Sequence, residues 1–77
     1  MIYGVYAVKD ILIGFNAPFI MGNDEVAKRT FKQTVGNKPE RNDLQLWKLG
    51  NWNDETGTFT NNSPLMLAFG KEDNNGI

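Results

Sequence analysis

The sequence predicts a small α+β protein, in which an antiparallel sheet of order ββαββ carries one helix packed on one face. One stretch has the start, the periodic face and the stop of an amphipathic helix, and the segments on both sides are rich in β-branched and aromatic residues. A chain of 77 residues is one domain with a thin core. We expect residues 1–70 to form this domain and residues 71–77 to be a disordered tail.

Two strands are predicted before the helix, at residues 2–8 and 11–15, because both segments are apolar without a helical period. The dipeptide Lys9-Asp10 between them is short enough for a tight hairpin turn. A regular first strand would place Tyr3 and Tyr6 on opposite faces. Residues 16–22 include a proline, which cannot donate to a ladder, and are predicted to form a crossing loop.

The predicted helix covers residues 24–35. Asn23 can cap the amides of its first turn, and Gly36 supplies the residue that ends it. An advance of about 100° per residue places one apolar face against the sheet and a basic face toward solvent. The residues predicted to pack on the sheet are Ala27, Phe31 and Val35.

After the helix, residues 37–43 are polar and predict a surface loop. Residues 44–52 carry apolar groups on both alternating faces, which is typical of a central strand. A turn at residues 53–57 would lead into a short fourth strand near residues 57–61, ended by Pro64. Residues 65–69 fit either an edge strand or a single helical turn.

Composition argues against several classes of function. The chain has no cysteine and no histidine, which excludes a disulfide, a cysteine or histidine zinc site, and a thiol or imidazole catalyst. Its adjacent carboxylates lie in a turn and a tail, and its glycines are scattered singly. The apolar runs are far shorter than a bilayer span. We therefore expect no enzymatic activity, no cofactor, no metal, no secretion and no membrane insertion.

The charges are segregated, although the net charge is only −1. Residues 28–48 hold six basic and two acidic side chains, a net charge of +4, and the remainder holds two basic and seven acidic ones, −5. These charges are either solvated on exposed faces or form a phosphate-binding track. Trp52 could stack on a base, whereas Trp47 is interpreted as a core residue. The candidate nucleic-acid-binding residues are Lys28, Arg29, Lys32, Lys38, Arg41, Lys48 and Trp52.

The order of landmarks along the chain resembles one family. The residues that carry the resemblance are Val5-Tyr6, Lys9-Asp10, Pro18-Phe19, Asn23 to Ala27, Arg29, Phe31 to Val35, Lys38-Pro39, Asp43-Leu44, Leu46, Gly50, Trp52, Asp54 and Thr56-Gly57. In sequence and spacing they are similar to the small nonstructural protein of gokushovirus-type microviruses, which are phages with single-stranded circular DNA. The resemblance implies a protein outside the virion, in the cytoplasm of the infected bacterium, that binds DNA and influences the passage from replication to packaging.

Two hypotheses of function follow. The first is an accessory protein that binds single-stranded DNA, and the second is an adaptor that engages a host or phage replication protein through the uncovered sheet face. Nine aromatic residues are more than one helix would cover. We therefore also expect a homodimer that covers the second face.

Overall fold

The computed structural model describes residues 1–36 and 38–70, with the backbone alone at residue 62. The predicted class is confirmed, because the described residues form an antiparallel sheet with one α-helix. The elements in chain order are β1 (Ile2–Asp10), β2 (Gly14–Phe15), β3 (Phe19–Met21), α1 (Asp24–Val35), a 3₁₀ helix (Pro39–Asp43), β4 (Leu44–Asn53) and β5 (Thr58–Phe69).

The sheet is built around β1 and β4, which lie side by side at its centre. The strand order is β2-β1-β4-β5, and all pairs are antiparallel. β3 also pairs with β1. The two short strands β2 and β3 therefore lie along the same side of β1, β2 beside residues 9–10 and β3 beside residues 4–6. β5 is consequently the opposite edge of the sheet.

The first turn begins two residues later than the sequence predicts. β1 continues through Lys9 and Asp10, and the turn is made by residues 11–13. The Asp10 carboxylate accepts a hydrogen bond from the Leu12 amide at 2.9 Å, and the Asp10 carbonyl accepts one from the Ile13 amide at 3.0 Å. Asp10 therefore anchors the turn instead of forming it, which shortens the predicted second strand to two residues.

The segment predicted as a crossing loop contains the strand β3. Phe19 pairs with Tyr6 and Met21 pairs with Gly4. Pro18 directly precedes β3, where its missing amide costs no ladder bond. Three strands thus precede the helix, so the observed order is βββαββ and the predicted ββαββ order is wrong in this part.

The helix α1 has the predicted bounds. The Asn23 side chain accepts a hydrogen bond from the Val26 amide at 2.9 Å, and Gly36, at φ +42°, donates its amide to the Lys32 carbonyl. The three residues predicted to face the sheet are buried: Ala27, Phe31 and Val35. At 12 residues α1 is too short for a bilayer, and no helix in the described ranges is long and apolar enough to cross one.

The core lies between α1 and one face of the sheet. Tyr6, Leu44 and Leu46 are buried against Phe31 and its helical neighbours. Five partly buried side chains complete this layer: Val8, Phe19, Met21, Leu67 and Ala68. Since a small domain buries only about 60% of its unfolded surface, each of these contacts is a large share of its stability.

The second half of the chain is a long hairpin. The predicted turn is confirmed, because residues 54–57 join β4 to β5. The predicted end of the fourth strand is wrong, since β5 passes through Pro64 and continues to Phe69; residues 65–69 are therefore strand and not a helical turn. Pro64 lies where the register of β5 against β4 shifts, between the pairs Lys48–Leu65 and Gly50–Asn61, and such an irregular position of an edge strand tolerates a proline. The loop predicted at 37–43 contains the 3₁₀ helix, and the predicted tail at 71–77 lies outside the described residues.

Candidate nucleic-acid interface

The sheet face opposite α1 is the candidate interface, and we call it the open face. Successive side chains of a strand point to opposite faces. Tyr6 is fully buried against α1, so Tyr3 and Lys9 of β1 lie on the open face. The predicted placement of Tyr3 and Tyr6 on opposite faces is thereby confirmed. The register then extends the open face across β4 and β5.

Three aromatic side chains, which we call the aromatic row, lie next to one another on the open face. Tyr3 of β1 pairs with Trp52 of β4, and Trp52 pairs with Phe59 of β5. The ring centroids are 5.7 Å apart for Tyr3 and Trp52 and 6.4 Å apart for Trp52 and Phe59, with interplanar angles of 38° and 34°. Phe59 is 60% exposed, and the other two are half-buried. The row therefore presents ring surface to solvent.

A second group, the Lys9 cluster, lies toward the other end of β1 and consists of Lys9, Phe15 and Trp47. The Phe15 and Trp47 rings meet edge to face with centroids 5.9 Å apart. The Lys9 ammonium lies 5.3 Å from the Phe15 centroid and 5.4 Å from the Trp47 centroid. The Trp47 indole donates to the Gln45 side-chain oxygen at 2.9 Å. The cation is thus held at the surface by two ring faces.

Among the described residues, the open face offers the stacking surface of its rings and the cation of Lys9. Base stacking on an exposed ring contributes about 1 to 3 kcal/mol for each base. Lys9 follows Tyr3 by six positions in β1, a distance of about 20 Å along the strand. Lys9 has no ion pair with any residue of the ranges 1–36 and 38–70. In the same ranges, no group of three or more acidic side chains is placed to hold a metal ion.

On the helix side, Lys48 is engaged within the protein. Its ammonium lies 3.0 Å from the Asp24 carboxylate and 5.9 Å from the Tyr6 ring centroid. The Tyr6 hydroxyl donates to the same Asp24 oxygen at 2.7 Å. These hydrogen bonds, first from Tyr6 and then from Lys48, hold the pKa of Asp24 below its usual value. Burial, and then the Asp24 contact, raise the pKa of Tyr6.

The helical part of the predicted track lies on the layer away from the open face. Lys28 is 3.6 Å from the Glu25 carboxylate, one turn earlier. Arg29 and Lys32 are exposed and make no ion pair with any other described residue. The three cations therefore share the solvent side of α1, as the helical wheel predicts.

The other predicted residues are distributed over both layers. Lys38 is exposed just before the 3₁₀ helix, and the Arg41 guanidinium donates from Nε to the Gly70 carbonyl at 2.9 Å. Trp52 lies in the aromatic row, on the opposite layer from the cations of α1. Trp47, which the sequence assigned to the core, lies half-buried on the open face. The structure thus separates the predicted stacking residue from the predicted phosphate track.

Sequence reasoning missed most of the aromatic surface. Phe59 was recoverable, since a turn of four residues at 54–57 pairs Trp52 with Phe59. The grouping of Lys9 with Phe15 could not be predicted, because the first turn was placed too early in the sequence. Once Asp10 anchors the turn, Lys9 pairs with Phe15 and the two share a face.

Fold and surface together define a small α+β protein with a helix on one sheet face and aromatic rings exposed on the other. A family model described as Phage ORF5 protein matches residues 3–72. The chain belongs to this family and is therefore a phage protein. No curated protein and no solved structure matches it.

Proposed function

We propose that this phage protein binds single-stranded DNA, with bases stacked on the open face. The observation that carries the proposal is the aromatic row, in which Tyr3, Trp52 and Phe59 present neighbouring rings from three strands. In this proposal the protein is a non-enzymatic accessory factor in the cytoplasm of the infected bacterium, outside the virion. It acts in genome replication or in the switch to packaging of single strands, as the family resemblance implies.

Single strands fit this surface better than duplex DNA. A single strand can turn the faces of its bases toward protein rings, whereas a duplex hides them in its own stack. Farther along the open face, Lys9 lies beside the Phe15 and Trp47 rings, where it can meet a phosphate. With a net charge of −1, the protein gains little from long-range attraction of a polyanion. Stacking is therefore expected to supply most of the affinity.

The test is a fluorescence anisotropy titration of labelled single-stranded and duplex oligonucleotides with the purified protein. Trp52→Ala removes the central ring of the row and is expected to weaken single-strand binding by about 1 to 3 kcal/mol at every salt concentration. The slope of log K against log salt should stay constant, because no phosphate contact is lost.

Trp52→Phe is the matched control, since it keeps a ring at the same position and should retain most of the affinity. Circular dichroism checks that both variants are folded. Equal affinity of the parent and Trp52→Ala for single strands, or tighter binding of duplex than of single strands, would contradict the stacking proposal.

An adaptor role is the second candidate, and the turn at residues 11–13 favours it. Ile11, Leu12 and Ile13 are 49%, 77% and 85% exposed, although hydrogen bonds to Asp10 and Asp43 order the backbone around them. An ordered apolar tip of this kind is typical of a protein contact. Replacing Leu12 and Ile13 by Ser separates the two functions. A variant that binds DNA normally but fails to support phage DNA replication would favour the adaptor.

A further inference from the structure

β5 forms one edge of the sheet along its whole length. It has 12 residues and pairs with β4 on one side, and no strand of the described ranges pairs with its other side. The other edge of the sheet is formed by β2 and β3, which have two and three residues. β5 therefore leaves the longest row of unpaired main-chain donors and acceptors in the described fold.

This edge lacks two of the protections that edge strands usually carry, charged side chains and short length, although its register against β4 shifts at Leu67 and between residues 61 and 65. Charged side chains and short length normally prevent two sheet edges from pairing. β5 has no charged residue, and its single proline, Pro64, precedes an uninterrupted apolar segment at residues 65–69. Four apolar side chains of the strand are exposed: Phe59, Leu65, Met66 and Phe69. The segment at residues 65–69 is the part of the edge best suited to pairing.

The main chain at the carboxyl end of this segment is oriented for such pairing. The Gly70 amide donates to the Leu44 carbonyl at 2.8 Å, so it points toward β4. Along an antiparallel strand, successive residues direct their main-chain groups to opposite sides. The amide and carbonyl of Phe69 therefore point away from β4, toward the outer edge.

We propose that two copies of this chain associate by antiparallel pairing of residues 65–69 about a two-fold axis. A neutral edge opposes its own copy without like-charge repulsion, and two-fold symmetry forms each contact twice. An axis perpendicular to the sheet keeps both α1 helices on one side. The two open faces then join into one continuous surface, which differs from the dimer expected from the sequence, in which the second face is covered.

The test is sedimentation of the purified protein without DNA, at micromolar concentration. The parent chain should sediment at twice its mass of 8.7 kDa. Phe69→Pro removes the outward amide and no bond to β4, and this variant should sediment as the 8.7 kDa chain. Phe69→Ala is the matched control, because it removes the same ring but keeps the amide, and it should remain dimeric.

A second pair of variants covers the case in which Phe69→Pro fails to fold. Leu65→Lys adds a charge to the edge and should give a folded monomer, whereas Leu65→Ala should stay dimeric. A monomeric parent chain would overturn the proposal. So would a dimer that persists in both Phe69→Pro and Leu65→Lys, or one that Phe59→Ser abolishes while Leu65→Lys leaves it intact, since the copies would then meet through their open faces.

Discussion

Asp24 connects three elements through a single carboxylate oxygen. This oxygen accepts a hydrogen bond from the Tyr6 hydroxyl of β1 and lies 3.0 Å from the Lys48 ammonium of β4, while Asp24 itself begins α1. A carboxylate in the first turn is also favoured by the helix dipole. The sequence predicts only that Asp24 is the first residue of the helix. Its partners depend on sheet register, which no local pattern specifies.

Replacing Tyr6 by Phe should lower the free energy of unfolding by about 1 to 2 kcal/mol, because it removes a hydrogen bond to a charged group. The Asp24 pKa should rise toward its ordinary value, since Tyr6 is the first cause of its depression. A depressed pKa stabilises the fold above the pKa of the unfolded chain, 3.8, and this stabilisation is lost as the pH falls through the lower folded value.

Urea unfolding of the parent and Tyr6→Phe at neutral pH and well below pH 3.8 measures this difference. The difference in free energy of unfolding between the parent and Tyr6→Phe should be smaller in acid. Tyr3→Phe is the control, because the Tyr3 hydroxyl has no hydrogen bond within the described ranges. A gap that is constant with pH would show that the Tyr6 hydroxyl does not act through the Asp24 charge.

At the scale of elements, α1 was fully predictable and the strands were only partly so. Both helix ends depend on groups a few residues apart, Asn23 with Val26 and Gly36 with Lys32, so local sequence determines them. Strand bounds depend on distant partners. Local rules end a strand at Pro64, but β5 continues past it because Pro64 lies at a register shift of an edge strand. The strand β3 forms because one side of β1 is free to pair with it.

Truncating Phe31 to Ala should cost about 3 to 5 kcal/mol of unfolding free energy, because Phe31 is 2% exposed at the centre of the core. A loss of this size is comparable with the whole stability of a small domain. Val26→Ala on the same helix is the control, since Val26 is 37% exposed and should change stability by less than about 0.5 kcal/mol. Thermal unfolding measures the stability of both variants. Equal melting temperatures of Phe31→Ala and Val26→Ala would contradict this description of the core.

The whole molecule has two layers with different surfaces. α1 presents cations to solvent, and the open face presents rings with Lys9 beside them. The sequence predicted an uncovered aromatic face and named Trp52 as a stacking residue. It could not group Lys9 with Phe15 and Trp47, because that grouping requires the register on both sides of β1.

Salt dependence separates the two layers as DNA sites. If the strand lies on the open face, Lys9→Gln should reduce the slope of log K against log salt by about 0.7, the value for one phosphate contact on a single strand. Joint replacement of Lys28, Arg29 and Lys32 by Gln should leave the slope unchanged. A slope reduced by about 2 in the triple variant, with Trp52→Ala binding normally, would instead assign the DNA to the helix layer.

The alternation along β1 places side chains of the core next to side chains of the proposed DNA-binding face. Tyr6 and Val8 pack under α1, while Tyr3 and Lys9 point to the open face. Mutations in the two groups should therefore have different effects on phage growth, provided that the protein limits plaque formation. Lesions at the first pair should yield temperature-sensitive phage, because a thin core melts on warming. Lesions at the second pair should reduce the burst size equally at all temperatures, and suppressors of one class should not rescue the other.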